Sequence, residues 1–322
     1  MGRTINRYYR LGNFTVCLHF AGSALVPIIT PALAHLETDP LPDPDLTVYL
    51  WDSASTGVEV PSPPWTEDDY LEFGLINGYN NARIKTLYQF ALHTIDLDQN
   101  LALYWISDAK NAPHYHTITP LRTIFHWWLR KHQHFVLHAA AVGKPEGAVL
   151  ITGKGGVGKS TTALACINSG LSYISDENCV ISISPEPIVY SIFSSGTLEA
   201  DIRGRLPSLE PFLSNENRLD KEKAIYHFFK DFQPDLAKGF PIKAILVPRF
   251  LGHRDTSIQK LSSAQTLIAL APGTLFQLPG TDRESFGVMA DLVRQVPCYS
   301  METGTDLTQI PDVIMRFLRN EL

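Results

Sequence analysis

The sequence has no long apolar run and no excess of basic residues. No stretch approaches the roughly 20 apolar residues that a membrane-spanning helix needs, and the first residues lack the apolar segment of a secretory signal peptide. Lys and Arg number 27 against 33 Asp and Glu, which gives a net charge of −6. Because no basic field would gather nucleic-acid phosphates, we expect a cytoplasmic protein that binds neither nucleic acid nor a membrane.

Cysteine is scarce, and no two cysteines form a C-x-x-C pair. The four that occur are Cys17, Cys166, Cys179 and Cys298. This scatter excludes a disulfide framework and favours reduced, buried thiols. Several histidines fall between residues 114 and 134. They lack cysteine partners and the spacing of known metal sites, so packing or surface roles are the better interpretation.

At 322 residues the chain is long enough for one large or two ordinary domains. Residues 1–118 contain no chemical motif, and their clearest element is the strand-like segment Leu46–Trp51. Thr119–Arg130 predicts a helix with a proline in its first turn. We therefore predict an α/β (α+β) protein with a mainly β accessory domain over 1–118 and a phosphate-loop (P-loop) domain over 119–322.

A phosphate-loop motif occupies the middle of the chain. Residues 153–160 fit G-x-x-x-x-G-K-[ST] at every fixed position, after the apolar run Ala148–Ile151 and before a helix start. Glycines let such a loop bring its backbone N–H groups against phosphate oxygens. The nucleotide-binding residues are predicted to be Gly153, Lys154, Gly155, Gly156, Val157, Gly158, Lys159, Ser160 and Thr161.

Two side chains of this loop have direct chemical roles in the prediction. Lys159 would reach the β- and γ-phosphates of ATP, and the Ser160 hydroxyl would ligate Mg²⁺. The helix after the loop leads through a strand to Asp176 and Glu177. Carboxylates at a strand end beside a phosphate loop are candidates for proton transfer and metal binding, although a solvated turn is the alternative.

The strands around the loop are also predicted. Phe135–Val142 and Ala148–Thr152 would form an antiparallel hairpin that leads into the loop. Cys179–Ser184 and Pro187–Phe193 resemble a second hairpin, and Ile242–Pro248 is a strong strand. Residues 199–213 and 221–232 are interpreted as loop and helix, with Lys223, Arg203 and Arg205 as available cations.

The loop sequence is similar to that of ParA/MinD-type ATPases, in which the early lysine, here Lys154, acts across a dimer. Those proteins carry the loop near the N-terminus of a doubly wound sheet, with an apolar strand that ends in Asp. Here about 150 residues precede the loop, and the strand at 242–247 ends in Pro248-Arg249. This alternative is therefore the weaker one.

Residues 138–142, the loop, and residues 175–177 together resemble the HPr kinase/phosphorylase superfamily, which is related to PEP carboxykinase. The resemblance is specific over 135–250 and extends to the shorter HPr-kinase-like proteins, including lasso-peptide precursor kinases. It implies ATP and Mg²⁺, with Asp176 as the general base and also near the metal. It implies Glu177 as the metal-side carboxylate, where the family has Asp, and His138 near the transferred phosphate. A satisfied core histidine is the alternative for His138.

The predicted function is a kinase that transfers the γ-phosphate of ATP to a hydroxyl, most plausibly a serine of a peptide or protein. The alternatives are a small-molecule hydroxyl kinase and a regulatory module that binds or hydrolyses ATP. A peptide could add as a strand to the first domain, beside the aromatic residues Tyr8, Tyr9, Trp51 and Trp65. A homo-oligomer is compatible with the sequence but not required by it.

Overall fold

The structure is a computed structural model that describes residues 4–60, 76–80, 83–88, 91–229 and 238–321. It divides into two compact units, Met1–Gln133 and His134–Leu322. Trp65 lies outside the described residues. Among the residues described, no helix combines the length and apolar character needed to span a bilayer.

The first unit contains a mixed β-sheet with short helices. Its strands are β1 (Thr4–Leu11), β2 (Phe14–Ala21), β3 (Glu37–Thr38), β4 (Leu46–Asp52), β5 (Ile76–Asn80), β6 (Arg83–Tyr88), β7 (Ala91–Asp96) and β8 (Leu101–Ile106). Its helices are α1 (Val26–Leu33), α2 (Ser53–Thr56), α3 (Tyr115–Ile118) and α4 (Arg122–Lys131). The described strands follow the order β3-β1-β2-β4-β8-β7-β6-β5. Both β2–β4 and β4–β8 are parallel, whereas the other pairs are antiparallel.

Helix α4 lies in the first unit, although the sequence had assigned it to the P-loop domain. Its Trp128 is fully buried, donates a hydrogen bond of 3.0 Å to Oδ1 of Asn100, and meets the ring of Phe14 edge-on at 5.2 Å. These partners come from the strands and turns of the first unit. The division between the units therefore falls after Gln133 rather than after residue 118.

The second unit is a mixed α/β structure. Its strands are β9 (Phe135–Leu137), β10 (Ala140–Lys144), β11 (Gly147–Ile151), β12 (Ser172–Ser175), β13 (Cys179–Ser182), β14 (Ile188–Tyr190), β15 (Ser195–Leu198), β16 (Ala224–His227), β17 (Gly239–Phe250), β18 (Ser257–Lys260) and β19 (Cys298–Thr303). Its helices are α5 (Lys159–Ala165), α6 (Ala200–Arg203), α7 (Ser263–Gln277), α8 (Arg283–Gln295) and α9 (Gln309–Leu318). The described strands follow the order β12-β10-β11-β17-β14-β13-β9, with β19 beside β17 and β18 beside β19, and β15 and β16 form a separate ribbon.

Strand β11 leads directly into the phosphate loop. Its residues are fully buried, which explains the uninterrupted apolar run at 148–151. The predicted antiparallel hairpin with β10 is present, and β17 pairs with β11 in parallel on the other side. Gly143 is required in this hairpin, because a Cβ there would lie 2.5 Å from the Cα of Ala148. The loop therefore starts from a strand that is held on both edges.

The predicted strand Phe135–Val142 is wrong as a single element. It breaks at His138 and Ala139 into β9 and β10, because the two halves pair with different strands. β9 pairs with β13, whereas β10 pairs with β11 and β12. His138 therefore lies between the two strands, and its backbone pairs with neither β13 nor β11 and β12.

The interpretation of residues 221–232 as loop and helix is wrong for residues 224–227, whereas residues 221–223 and 228–229 are loop. Residues 224–227 form β16, which pairs antiparallel with β15. Ala224, Ile225 and Tyr226 are buried against the core of the second unit. Burial on the β-ribbon therefore overrides the polar flanks that favoured a loop. The second predicted hairpin is confirmed as β13 and β14.

Candidate active site

The phosphate loop is open on its outer side. Gly156 and Gly158 have positive φ angles of 79° and 101°, which favour glycine, and a Cβ on either would have no atom within 4 Å. Gly153 has φ of 146°, and a Cβ there would lie 2.7 Å from a methyl group of Val157. The glycines therefore permit both the loop's fold and close approach by a ligand.

Lys159 lies under the loop rather than in solvent. Its ammonium donates hydrogen bonds of 2.9 Å to the carbonyl of Gly153 and 3.1 Å to the carbonyl of Lys154, and the residue is 7% exposed. Burial lowers the pKa of this ammonium, while the Glu177 and Asp176 carboxylates act in the opposite direction. The lysine is therefore held inside the loop, within the field of both acids.

Asp176 lies at the end of β12 and connects the loop to the β-ribbon. Its Oδ1 accepts a hydrogen bond of 3.0 Å from the Ser160 hydroxyl, and its Oδ2 accepts one of 3.3 Å from the Thr197 backbone. Asp176 is 1% exposed. Burial, and next the charge of Glu177, raise the pKa of its carboxyl to about 7, although the hydrogen bonds act against this.

Glu177 is held in an unusual backbone conformation. Its φ is 61°, in the left-handed region that non-glycine residues adopt at a cost of about 1 kcal/mol. The side chain accepts a hydrogen bond of 2.9 Å from the Thr197 hydroxyl, and its other oxygen lies 3.8 Å from Nδ1 of His138. Thr197 therefore contacts both acids, one through its backbone and one through its side chain.

Helix α7 fixes the position of His138. The His138 backbone N–H donates a hydrogen bond of 3.1 Å to the Thr274 hydroxyl. A Cβ on Gly273 would lie 2.8 Å from the His138 ring, so the helix approaches the imidazole as closely as glycine allows. The ring is therefore placed beside Glu177 by packing as well as by charge.

These groups surround a cavity of about 340 Å³ in the second unit. Residues 155–162 of the loop line it, together with His138, Glu177 and Thr197. Asp176 does not line the cavity and reaches it through the Ser160 hydroxyl. The side chain of Lys154 is exposed outside the cavity, and Gly153 contributes its carbonyl to Lys159.

The oxygen atoms at this site fit a magnesium ion that is shared with a nucleotide. The oxygens are the Ser160 hydroxyl and the carboxylates of Asp176 and Glu177. Ser160 donates a hydrogen bond to Asp176 directly, and Thr197 donates one to each carboxylate. Mg²⁺ prefers hard oxygen ligands and is usually bound by one or two carboxylates plus substrate phosphates. Within the described ranges, no three His, Cys, Asp or Glu side chains form a metal-binding group of their own. A site shared with phosphate oxygens and water accounts for both observations.

Sequence reasoning identified the loop, Asp176, Glu177 and His138, but it missed Thr197 and Thr274. Thr197 follows the loop by more than 30 residues in a short strand, and Thr274 lies in the last helical turn of α7. Neither threonine belongs to a recognisable motif. Only the three-dimensional pairing of the ribbon and the packing of α7 bring them to the acids.

No known protein-family profile and no curated protein matches the chain. Among solved structures, the chain is similar to the Hpr(Ser) kinase/phosphatase from Coxiella burnetii, with 12% sequence identity and a TM-score of 0.31. The match covers 57% of this chain and 94% of that chain. At so low a TM-score, the likeness carries no argument about the activity of this chain.

Proposed function

We propose that the chain is a kinase that transfers the γ-phosphate of Mg·ATP to a hydroxyl group. The observation that supports this best is the direct contact between a complete phosphate loop and an acidic pair, made through the Ser160 hydroxyl and Asp176. A loop that only bound nucleotide would not require Glu177 and His138 at the same cavity, with the Asp176 carboxylate directly behind Ser160. Phosphoryl transfer depends mainly on positioning and charge neutralisation, and these groups supply both.

Each residue has a distinct task in this proposal. The backbone N–H groups of the loop and the Lys159 ammonium hold the phosphates. Ser160 and Glu177 would hold Mg²⁺, with the Asp176 carboxylate close to it, and the bound ion would neutralise charge on the phosphoryl oxygens. His138 lies beside Glu177 and would contact the transferred phosphoryl group or its acceptor.

The two acids compete for the role of general base. A pKa raised toward neutrality makes Asp176 the better proton acceptor at neutral pH. Glu177 lines the cavity, whereas Asp176 lies behind Ser160. We assign the base to Asp176 and the metal-side position to Glu177, and the paired variants described in the Discussion separate these roles.

We further propose that the acceptor is a serine of a peptide or protein. The first unit offers sheet edges to which an extended peptide could add as a strand. Of the aromatic residues considered for side-chain pockets, Tyr9 is 2% exposed and belongs to the core. Tyr8 and Trp51 are half-buried, and the Trp51 indole donates a hydrogen bond of 3.1 Å to the carbonyl of Val58.

Mass spectrometry tests this proposal directly. The protein is incubated with Mg·ATP and a panel of seryl peptides, including any short peptide encoded beside it, with free serine and sugars as competing acceptors. A phosphate added to one peptide supports a peptide kinase. If only a small molecule is phosphorylated, the proposal of a kinase stands and the proposal of a peptide acceptor is wrong. ATP binding or hydrolysis with no acceptor phosphorylated would favour a regulatory module instead.

A further inference from the structure

A second lysine lies at the mouth of the cavity, on the ribbon formed by β15 and β16. The register pairs Leu198 with Ala224, so the residues that flank this pair, Glu199 and Lys223, meet at the open end of the ribbon. Their side chains form an ion pair of 2.9 Å. Both residues line the cavity, which the phosphate loop lines on another side.

The backbone at Lys223 is held in place by a buried side chain. Asn215 is 7% exposed, and its amide donates a hydrogen bond of 2.8 Å to the carbonyl of Lys223. The oxygen of the same amide accepts a hydrogen bond of 2.9 Å from the N–H of Ile225. A buried asparagine that satisfies the backbone on both sides of Ala224 fixes where the lysine side chain begins.

Lys223 shares an electrostatic environment with the candidate active site. Partial burial alone would lower its pKa, but the hydrogen bond to Glu199 and the charges of Glu177 and Asp176 raise it. Its positive charge in turn contributes to the lowered pKa of Lys159. Both lysines line the cavity, so the two ammonium groups act on the same space.

The ion pair with Glu199 is weak enough to be exchanged. The side chains of Lys223 and Glu199 are 46% and 59% exposed, and ion pairs this exposed contribute little to stability because water screens them. A phosphate group in the cavity would offer the ammonium a charge-assisted hydrogen bond in a less hydrated place.

We propose that Lys223 is a second phosphate-binding cation of the site, which leaves Glu199 and contacts the γ-phosphoryl group of a bound nucleoside triphosphate. This inference rests on the proposed function and assigns a residue that no motif marks. Lys159 holds the phosphates from inside the loop, and Lys223 approaches from the ribbon. A cation in that position distinguishes a nucleoside triphosphate from a diphosphate, because only the triphosphate has a γ-phosphoryl group for the lysine to contact.

Calorimetric titration of the whole chain with Mg·ATP and Mg·ADP tests this role without measuring transfer. Lys223→Ala is expected to lower the affinity for ATP on the order of tenfold, while the affinity for ADP stays within about twofold. Lys221→Ala, which removes an exposed lysine two positions away, is the matched control and is expected to change neither. Glu199→Gln releases Lys223 from its partner and is expected to retain the preference for ATP.

Three results would overturn the assignment. Unchanged ATP affinity in a folded Lys223→Ala variant would mean that the lysine makes no phosphate contact. Equal losses of affinity for ATP and ADP would mean that Lys223 only stabilises the end of the ribbon through its ion pair with Glu199. The thermal unfolding temperature of the variant measures that structural role independently. A wild-type chain that binds neither nucleotide would instead refute the phosphate-loop function, and this inference with it.

Discussion

The Ser160 hydroxyl donates a hydrogen bond of 3.0 Å to the carboxylate of Asp176. This contact joins the first residue after the loop lysine to the end of β12, so the loop and the acidic pair form one structural unit. Both oxygens are of the hard type that Mg²⁺ prefers, so this pair lies where the ion of Mg·ATP would be held. The hydrogen bond therefore keeps the metal ligands close together before a nucleotide arrives.

Replacement of Lys159 tests the phosphate loop. Lys159→Ala removes the only side-chain cation inside the loop and its hydrogen bonds to the Gly153 and Lys154 carbonyls. We expect a loss of ATP affinity on the order of tenfold to a hundredfold, with the fold retained. Isothermal titration calorimetry measures this, and circular dichroism confirms folding. Unchanged ATP binding in a folded variant would remove the phosphate-loop interpretation.

Lys154→Ala is the companion variant, since the Lys154 side chain is exposed outside the cavity. We expect a mild effect on ATP binding. In a ParA/MinD-type dimer the same change would abolish ATP-driven association. Light scattering with and without Mg·ATP separates the two cases. A dimer that forms with ATP in the wild type and disappears in this variant would favour the ParA/MinD-type alternative.

Paired replacements of the acids assign their roles. Asp176→Asn keeps the shape of the side chain and removes its capacity to accept a proton, so transfer should fall by a factor on the order of 10²–10⁴ while Mg·ATP still binds. Glu177→Gln should instead raise the Mg²⁺ concentration needed for half-maximal activity. Single-turnover rates over a magnesium series measure both effects. If the two outcomes are interchanged, Glu177 is the base and Asp176 the metal-side ligand.

The raised pKa of Asp176 predicts a stability effect. The native state keeps this proton up to about pH 7, whereas an unfolded Asp ionises near pH 4. The contribution of Asp176 to stability is therefore full below about pH 4 and is lost as the pH rises to about 7. Asp176→Asn removes this loss, so without nucleotide the variant should be more stable than the wild type at pH 8, by on the order of 1 kcal/mol for each unit by which the pKa is raised.

Chemical denaturation at pH 5 and pH 8 checks this, with Asp201→Asn on the exposed surface of α6 as control. Mg²⁺ should stabilise the wild type more than the Asn variant at pH 8, because a cation favours the ionised carboxylate. If the difference in unfolding free energy between the wild type and Asp176→Asn is the same at pH 5 and pH 8, the raised pKa is contradicted.

The contact between α7 and His138 predicts an effect from a single methyl group. Gly273→Ala would place a Cβ 2.8 Å from the imidazole and displace it from Glu177. We expect transfer to fall in Gly273→Ala and to the same extent in His138→Ala, and we expect Gly273→Ala to cost about 1 kcal/mol of stability. Gly287→Ala in α8 is the matched control, since a Cβ there has no atom within 4 Å. It should stabilise the helix by about 0.5–1 kcal/mol and leave activity unchanged. Full activity in a folded Gly273→Ala variant would argue that His138 is a packing residue.

The parts of this site that are local in sequence could be predicted from sequence. The loop and Ser160 lie in one short segment, and Asp176 and Glu177 follow at the next strand end, so spacing alone associates them. Thr197 could not be predicted, because its contact depends on the pairing of β15 with β16 and on where that ribbon lies. The same ribbon places Lys223, which the sequence offered only as one of several cations.

The fold shows the same division between local and distant causes. The hairpin of β10 and β11 is fixed by two adjacent apolar runs and a short turn, and it was predictable. The break at His138 was not, because β9 leaves the hairpin to pair with β13, some 40 residues later. Helix α4 was recognised as a helix, but its packing in the first unit involves contacts of Trp128 with Asn100 and Phe14, which no sequence pattern reveals.

Strand β17 has a consequence for how the protein is made. It pairs with β11, β14 and β19, so the phosphate-loop strand β11 lacks its neighbour on the edge away from β10 until residues 239–250 have been synthesised. A nascent chain that ends before this point contains the whole nucleotide-binding motif on a hairpin with one open apolar edge. Pairings between distant segments form slowly, and open edges promote association with other chains. We therefore expect the chain to bind nucleotide only late in translation, after β17 has been synthesised. Before that point, we expect chaperones to contact the hairpin.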